Sequence, residues 1–211
     1  MKGKVTKVIT PKISGWLEYE LSDKELDYVW RCVDNKKEDH RDHLAGHVSG
    51  SYRLMDRSDW FWLNVIKPLM LQYHEFFENL GYSTVTLKHP YNMDDWWVNY
   101  QRENEFNPVH FHGGVYSFVI WLKIPTSYKE QRKLSFANKS NNPVISNFVF
   151  EYLNTLGDTR HHIYEMSPNS EGKMLFFPAK LNHMVYPFFN CNEERISVSG
   201  NITINTSKLI K

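Results

Sequence analysis

Two cysteines, Cys32 and Cys191, are all that this chain of 211 residues carries. No disulfide framework can staple it, and a reducing cytoplasm is the expected compartment. Neither cysteine has a nearby His-Asp pattern of the kind that activates a thiol nucleophile. Excess charge is also missing: 25 Lys+Arg against 24 Asp+Glu leave a formal net charge of +1. Without a broad field, neither nucleic acid nor a membrane surface is expected as a partner. No apolar run reaches the roughly 18 residues that a spanning helix needs, and Met1-Lys2-Gly3-Lys4 is not followed by the apolar stretch of a signal peptide. A Gly-rich phosphate loop, an internal repeat and a low-complexity block are all absent. The Asn-x-Ser/Thr matches at Asn138, Asn201 and Asn205 are therefore expected to carry no glycan.

Aromatic residues, by contrast, are plentiful: 7 Trp, 12 Tyr and 13 Phe make 15% of the chain. Most belong in a core, and a surplus of this size also suits the lining of a ligand cleft. The length fits one domain, 1-211, divided here into an N-terminal strand with supporting helices (1-83) and a catalytic core (84-205). Residues 15–21 alternate as a first strand. Ser22-Asp23-Lys24-Glu25 is a capping box, opening a helix whose Leu26, Val29, Trp30 and Val33 share an apolar face. A polar stretch over 34–52 follows. A second helix is predicted over 58–80, kinked or split by Pro68 and stopped by Gly81, with Leu69, Tyr73, Phe76, Phe77 and Leu80 buried.

After Gly81 the hydrophobic period drops to two. Strands are predicted at 84–88, 96–102, 115–124, 147–154, 161–166, 173–178, 183–187 and 195–204, with no helical pattern between them. The fold class that follows is mainly β: a double-stranded β-helix, the cupin-like jelly roll, with an N-terminal helical layer. The 126–146 loop is long enough for an active-site lid.

The chemistry concentrates in three short segments. In Asn107-Pro108-Val109-His110-Phe111-His112-Gly113-Gly114, two histidines stand two apart, so on a strand both point to one side and converge on one metal. His183 closes a three-ligand face that leaves coordination positions open. Arg195 and Ser197 share one side of another strand, and their donors suit the far carboxylate of a dicarboxylic acid. Alone, His110 and His112 read as two ordinary histidines of a half-exposed strand, and Arg195 as a surface charge after Glu193 and Glu194. The three segments in order reverse that. Ile196, Val198 and Ile202 put the strand in the core, where an arginine without an anion is costly.

Of the other histidines, His40, His43 and His47 stand at i, i+3 and i+7. A solvated loop is the plain reading; a segment Leu44-Ala45-Gly46-His47 folding over a substrate mouth is the alternative. His161 and His162 point to opposite faces of their strand and cannot share a metal.

The order His-x-His, long gap, His183, then Arg195-x-Ser197 resembles the 2-oxoglutarate/Fe(II)-dependent dioxygenase superfamily. "NPVHFHGGVYSFVIWLKIP" and "MLFFPAKLNHMVYPF" are most similar to oxygenases of marine phages and bacteria. The likeness spans roughly 84–205. It departs from the superfamily at one place, because His112 stands where the usual triad has a carboxylate. Three readings stay open: a three-histidine site; His112 as first ligand with Gly114 as a vacancy of the halogenase kind; or a carboxylate from Glu105, Asp94 or Asp95. The resemblance implies Fe(II) on His110, His112 and His183 as the catalytic centre. It also implies 2-oxoglutarate clamped by Arg195 and Ser197, with Tyr100 a further co-substrate candidate, and O2 as reactant. The implied reaction hydroxylates a C–H bond of a peptide or small organic substrate with release of succinate and CO2. A three-histidine cupin-type dioxygenase without 2-oxoglutarate, or a non-catalytic metal-binding jelly roll, are the rivals.

Overall fold

The computed structural model describes residues 7, 14–81 and 89–208, apart from the side chain of Asp94. The strand expected at 84–88 and the boundary at 83/84 lie outside the described residues. Two antiparallel sheets face each other. The larger runs in the order β1-β8-β5-β10-β3-β2, and the smaller in the order β4-β9-β6-β7. The strands are β1 (Leu17–Glu20), β2 (Gly50–Arg53), β3 (Tyr91–Gln101), β4 (Asn107–His110), β5 (Tyr116–Lys123), β6 (Phe148–Leu153), β7 (Thr159–Tyr164), β8 (Lys173–Pro178), β9 (Asn182–Val185) and β10 (Arg195–Ile204). Strands β3 to β10 form the eight-stranded double sheet of a jelly roll. Two strands from the first 83 residues, β1 and β2, extend the larger sheet at its two edges through β8 and β3.

The larger sheet is covered on both faces, and the sequence of its central strands shows it. In β5, Phe118, Ile120 and Leu122 pack toward the helices, whereas Val119 and Trp121 pack toward the smaller sheet. β8 does the same, with Met174 and Phe176 on one side and Leu175 and Phe177 on the other. Burial on both faces turns an alternating pattern into a nearly continuous apolar run. Each phenylalanine so buried contributes about 1.5–3 kcal/mol.

Helix α1 (Asp23–Asp34) begins at the expected capping box, in which the Ser22 amide donates to Glu25 Oε2 at 2.8 Å. Val29 and Val33 are buried against the sheet. The second helix differs from expectation. A π-helical turn at Trp62–Ile66 precedes α2 (Lys67–Phe76). Pro68 has no N–H to donate and crowds the preceding turn, and the chain answers by widening that turn, so that the Lys67 amide reaches back to Trp62 O. α2 ends at Phe76 rather than at Gly81. Phe77 turns into extended backbone (φ −131°, ψ 177°) and lays its ring against Tyr73, centroids 4.7 Å apart. Phe76, expected in the core, is left 70% exposed.

The smaller sheet contains one strand that was not anticipated, β4, which pairs with β9 and bears His110. The expected lid at 126–146 is not over the cavity. It folds into a short helix, α3 (Tyr128–Gln131), anchored by Gln131 side-chain bonds of 2.9 Å to both the N–H and the C=O of Phe189. Among the described residues no helix is long and apolar enough to cross a membrane.

Candidate active site

The three histidines meet because of sheet pairing. His110 on β4 and His183 on β9 are cross-strand partners, with ring centroids 4.2 Å apart. His112 is not on the strand as expected. It lies just past the end of β4, and its amide donates to Ala179 O at 2.8 Å, which ties the exit of β4 to the turn before β9. That tie brings His112 Nε2 to 3.0 Å from His183 Nε2. One ligand nitrogen from each histidine lies within 4.8 Å of the other two, a spacing that could hold a metal ion.

The ring orientations fit that use. His110 Nδ1 bonds Pro108 O at 2.8 Å and His183 Nδ1 bonds Leu181 O at 2.9 Å. A carbonyl can only accept, so Nδ1 of each ring carries the proton and each Nε2 presents a lone pair inward. Burial pushes all three imidazolium pKa values down, that of His112 to about 3 and that of His183 well below its ordinary value. The rings are thus neutral, the state in which imidazole ligates a metal. His112 Nε2 at 3.0 Å can donate to the His183 lone pair, and in its other tautomer it offers a third lone pair to a cation.

Among the described side chains neither alternative for the third ligand has geometric support, and the Asp94 candidate lies outside them. Glu105 accepts the Arg102 amide within its own turn (2.9 Å), and Asp95 is engaged by His40 (3.3 Å) and Arg53 (3.6 Å). Gly114 has φ +91°, and a Cβ added there would stand 2.7 Å from the Ile202 carbonyl oxygen, which already accepts the Val115 amide. Backbone conformation and close approach therefore require a glycine. Gly114→Asp is expected to destabilise the protein by roughly 2–4 kcal/mol through strain and overpacking. Denaturant unfolding would measure this, and a fully stable Gly114→Asp protein that binds metal would restore the vacancy reading.

The trio opens onto a cavity of about 270 Å³ between the sheets. Its floor is a ladder of cross-strand pairs from β10 and β3: Arg195 with Gln101, Ser197 with Asn99, Ser199 with Trp97, and Asn201 with Asp95. Phe148, Phe177, Val119 and Trp121 supply apolar walls. The strand period of two puts the odd-numbered residues of both strands on this face. Tyr100 is accordingly on the other one, with its ring 6.0 Å from that of Tyr52 under the helical layer. Its proposed co-substrate contact is corrected: Tyr100 does not line the cavity.

Arg195 is 2% exposed and has no carboxylate within ion-pair distance among the described residues. Its Nη2 donates to Ser146 O (2.7 Å) and Ser146 Oγ (3.0 Å), while its Nε has no partner. Burial lowers its pKa to about 10, still cationic at neutral pH. A buried guanidinium with an unpaired N–H has the chemistry to receive an anion.

Ser146 went unrecognised in the sequence. It holds the left-handed conformation (φ 63°) at 0% exposure, and only its place beside Arg195 gives it a role. The 40–48 segment is also part of the site. His40 is 6% exposed rather than solvated, and Leu44, Ala45 and Gly46 rim the mouth, held by a bridge between His47 and Phe106. His161 and His162 lie elsewhere, on the exposed strand β7.

Residues 95–201, just over half of the chain, match the family described as "Putative 2OG-Fe(II) oxygenase". No curated protein matches the sequence. A prolyl-4-hydroxylase from Pseudomonas putida is similar at 14% identity over 91% of this chain and 94% of that one, with a TM-score of 0.50. An oxidoreductase of the 2OG-Fe(II) oxygenase family from Burkholderia pseudomallei shares 12% identity over 86% and 79%, with a TM-score of 0.51. A prolyl hydroxylase from Trichoplax adhaerens, solved with a hypoxia inducible factor oxygen degradation domain peptide fragment, shares 10% over 90% and 82%, with a TM-score of 0.50. At such identities these likenesses speak for the fold.

Proposed function

Because this chain belongs to the 2OG-Fe(II) oxygenases, enzymes whose cofactors are Fe(II) and 2-oxoglutarate, we propose that the cavity is its active site. In this reading His110, His112 and His183 hold the iron, and Arg195 with Ser197 receives the far carboxylate of 2-oxoglutarate. The observation that carries it is the pairing, in one cavity, of three converging imidazole nitrogens with a buried arginine that has no counter-charge among the described residues. The rival in which a three-histidine dioxygenase dispenses with 2-oxoglutarate gives way to the family membership.

When bound, iron and 2-oxoglutarate supply the oxidising chemistry: the co-substrate is decarboxylated to succinate and CO2 as O2 oxidises a C–H bond of the substrate. The protein's own residues do the rest. Pro108 O and Leu181 O fix the His110 and His183 tautomers, so two ligands are oriented before the metal arrives. Ser146 holds the guanidinium of Arg195 through both of its oxygens. Phe148, Phe177, Val119 and Trp121 exclude water from the reacting centre. Three neutral ligands leave the metal's charge uncompensated, and the carboxylate of the co-substrate supplies the offset.

The substrate in this reading is a peptide or a small organic molecule, in keeping with the peptide bound by the Trichoplax enzyme. The test is succinate formation after anaerobic reconstitution with Fe(II), on addition of O2. Succinate is expected only with 2-oxoglutarate present and none after chelation; release no greater than that of denatured protein would end the proposal.

A further inference from the structure

The floor of the cavity is longer than the co-substrate needs. From Arg195 to Asn201, β10 advances about 20 Å, far more than the length of 2-oxoglutarate. With the co-substrate at the Arg195 end, the two remaining pairs, Ser199 with Trp97 and Asn201 with Asp95, lie beyond it. Trp97 marks where the halves meet, with its ring 5.7 Å from His112 and 5.3 Å from His40.

In this far half, polar atoms lack hydrogen-bond partners among the described residues, although the Asp95 carboxylate is ion-paired with His40 and Arg53. Trp97 is 2% exposed, and its Nε1–H donates to nothing among the described residues. Asp95 Oδ2 is engaged by His40 Nε2 at 3.3 Å, but the buried Oδ1 accepts no hydrogen bond, the guanidinium Nε of Arg53 standing 3.6 Å away. Asn201 spends its Oδ1 on the Ser117 hydroxyl (3.1 Å), which leaves its Nδ2 donors to the cavity it lines. The Trp97 and Asp95 atoms are already shut off from water, and an apolar ligand would leave them with nothing to bond. A ligand that satisfies them carries an N–H for the carboxylate and an oxygen for the two donors.

We propose that the Asp95–Trp97–Asn201 end of the cavity is the primary-substrate subsite and that it recognises an amide, whose N–H bonds Asp95 and whose C=O accepts from Trp97 and Asn201. The inference rests on the co-substrate taking the Arg195 end and deepens that reading by naming the substrate's chemistry. A peptide bond and a free carboxamide share this pattern, and the experiment separates them.

The probes are N-acetyl amino-acid N-methylamides, each with its methyl ester, and benzamide with methyl benzoate. Two readouts are taken: probe-stimulated succinate release by the Fe(II)-loaded enzyme, and saturation-transfer NMR binding to the Zn(II)- and 2-oxoglutarate-loaded protein without O2. A site built to bond an N–H rejects an analogue lacking it strongly, so amides should exceed esters at least tenfold in the first readout and alone give signal in the second. A response to the N-methylamides alone assigns a peptide; a response to benzamide alone assigns a small carboxamide. Trp97→Phe, which keeps the ring and removes the N–H, and Asp95→Asn should each lower the amide-to-ester ratio severalfold. The ratio is internal to each preparation, so partial loss of folded protein does not imitate the effect. Equal amide and ester responses, no response to any probe, or a ratio unchanged in both variants overturns the assignment. A wild-type enzyme that forms no succinate at all counts against the proposed function instead, and the binding readout then decides the amide question alone.

Discussion

His183→Ala is expected to abolish Fe(II) binding and, with it, all succinate formation. His183 is 4% exposed and takes part in both short contacts of the trio, to His110 across the β4–β9 pair and to His112 through the 3.0 Å nitrogen pair. Two remaining imidazoles make too poor a site to keep the ion, and the vacated space is apolar, bounded by Phe148, Phe150 and Phe177. His110→Ala should act alike. His112→Asp is the informative contrast, since it puts a carboxylate where the family's usual triad has one and should keep the metal. Metal content after anaerobic loading measures all three. Wild-type iron affinity in His183→Ala or His110→Ala would refute the ligand assignment, as would loss of metal from a folded His112→Asp protein.

Arg195→Met should raise the concentration of 2-oxoglutarate needed for half-maximal turnover by about 30-fold to several thousand-fold while leaving iron binding nearly intact. Removing one partner of a buried charge-assisted pair costs on the order of 2–5 kcal/mol. Among the described residues the arginine has no carboxylate partner, so the stability cost is that of leaving the buried Ser146 carbonyl and hydroxyl without their donor, on the order of 1–3 kcal/mol. Ser197→Ala removes only a neutral donor and should cost about 1–2 kcal/mol of co-substrate affinity. Titration of 2-oxoglutarate against each iron-loaded variant provides the check. If Arg195→Met unfolds the protein, or turns over with an unchanged co-substrate requirement, Arg195 is a structural residue.

Much of the fold could be read locally. The Ser22–Glu25 capping box is a contact within one turn, and it stands where expected. Eight strands, β1, β3 and β5 to β10, announced themselves by alternation or by apolar runs; all but the mostly exposed β7 pack a face against a core. β4 escaped notice: its four residues include Pro108 and an exposed valine, and it is a strand only because β9 lies beside it. The early end of α2 was also hidden. Leu80 and Gly81 continue a helical pattern, and it is the space against Gly15 and Tyr73 that draws Phe77 out of the helix.

For the site, the sequence by itself determined which residues are chemically able and which neighbours share a strand side. Arg195 and Ser197 stand two apart on β10, and that spacing needs no tertiary information. His112 lies past the end of β4, and its bond to Ala179 O, not strand alternation, brings it beside His110. What it left open was the phase. Tyr100 and Gln101 sit in a strand buried on both faces, so the apolar pattern does not say which of them meets the cavity; the pairing of Gln101 with Arg195 decides it. The pairing of His110 with His183, the support of Arg195 by Ser146, and the place of 40–48 at the mouth were likewise decided only by the tertiary structure. The reason is common to all of them. A strand fixes the relation between residues i and i+2 by its own geometry, whereas contacts between segments tens of residues apart depend on sheet register and on which face is turned inward.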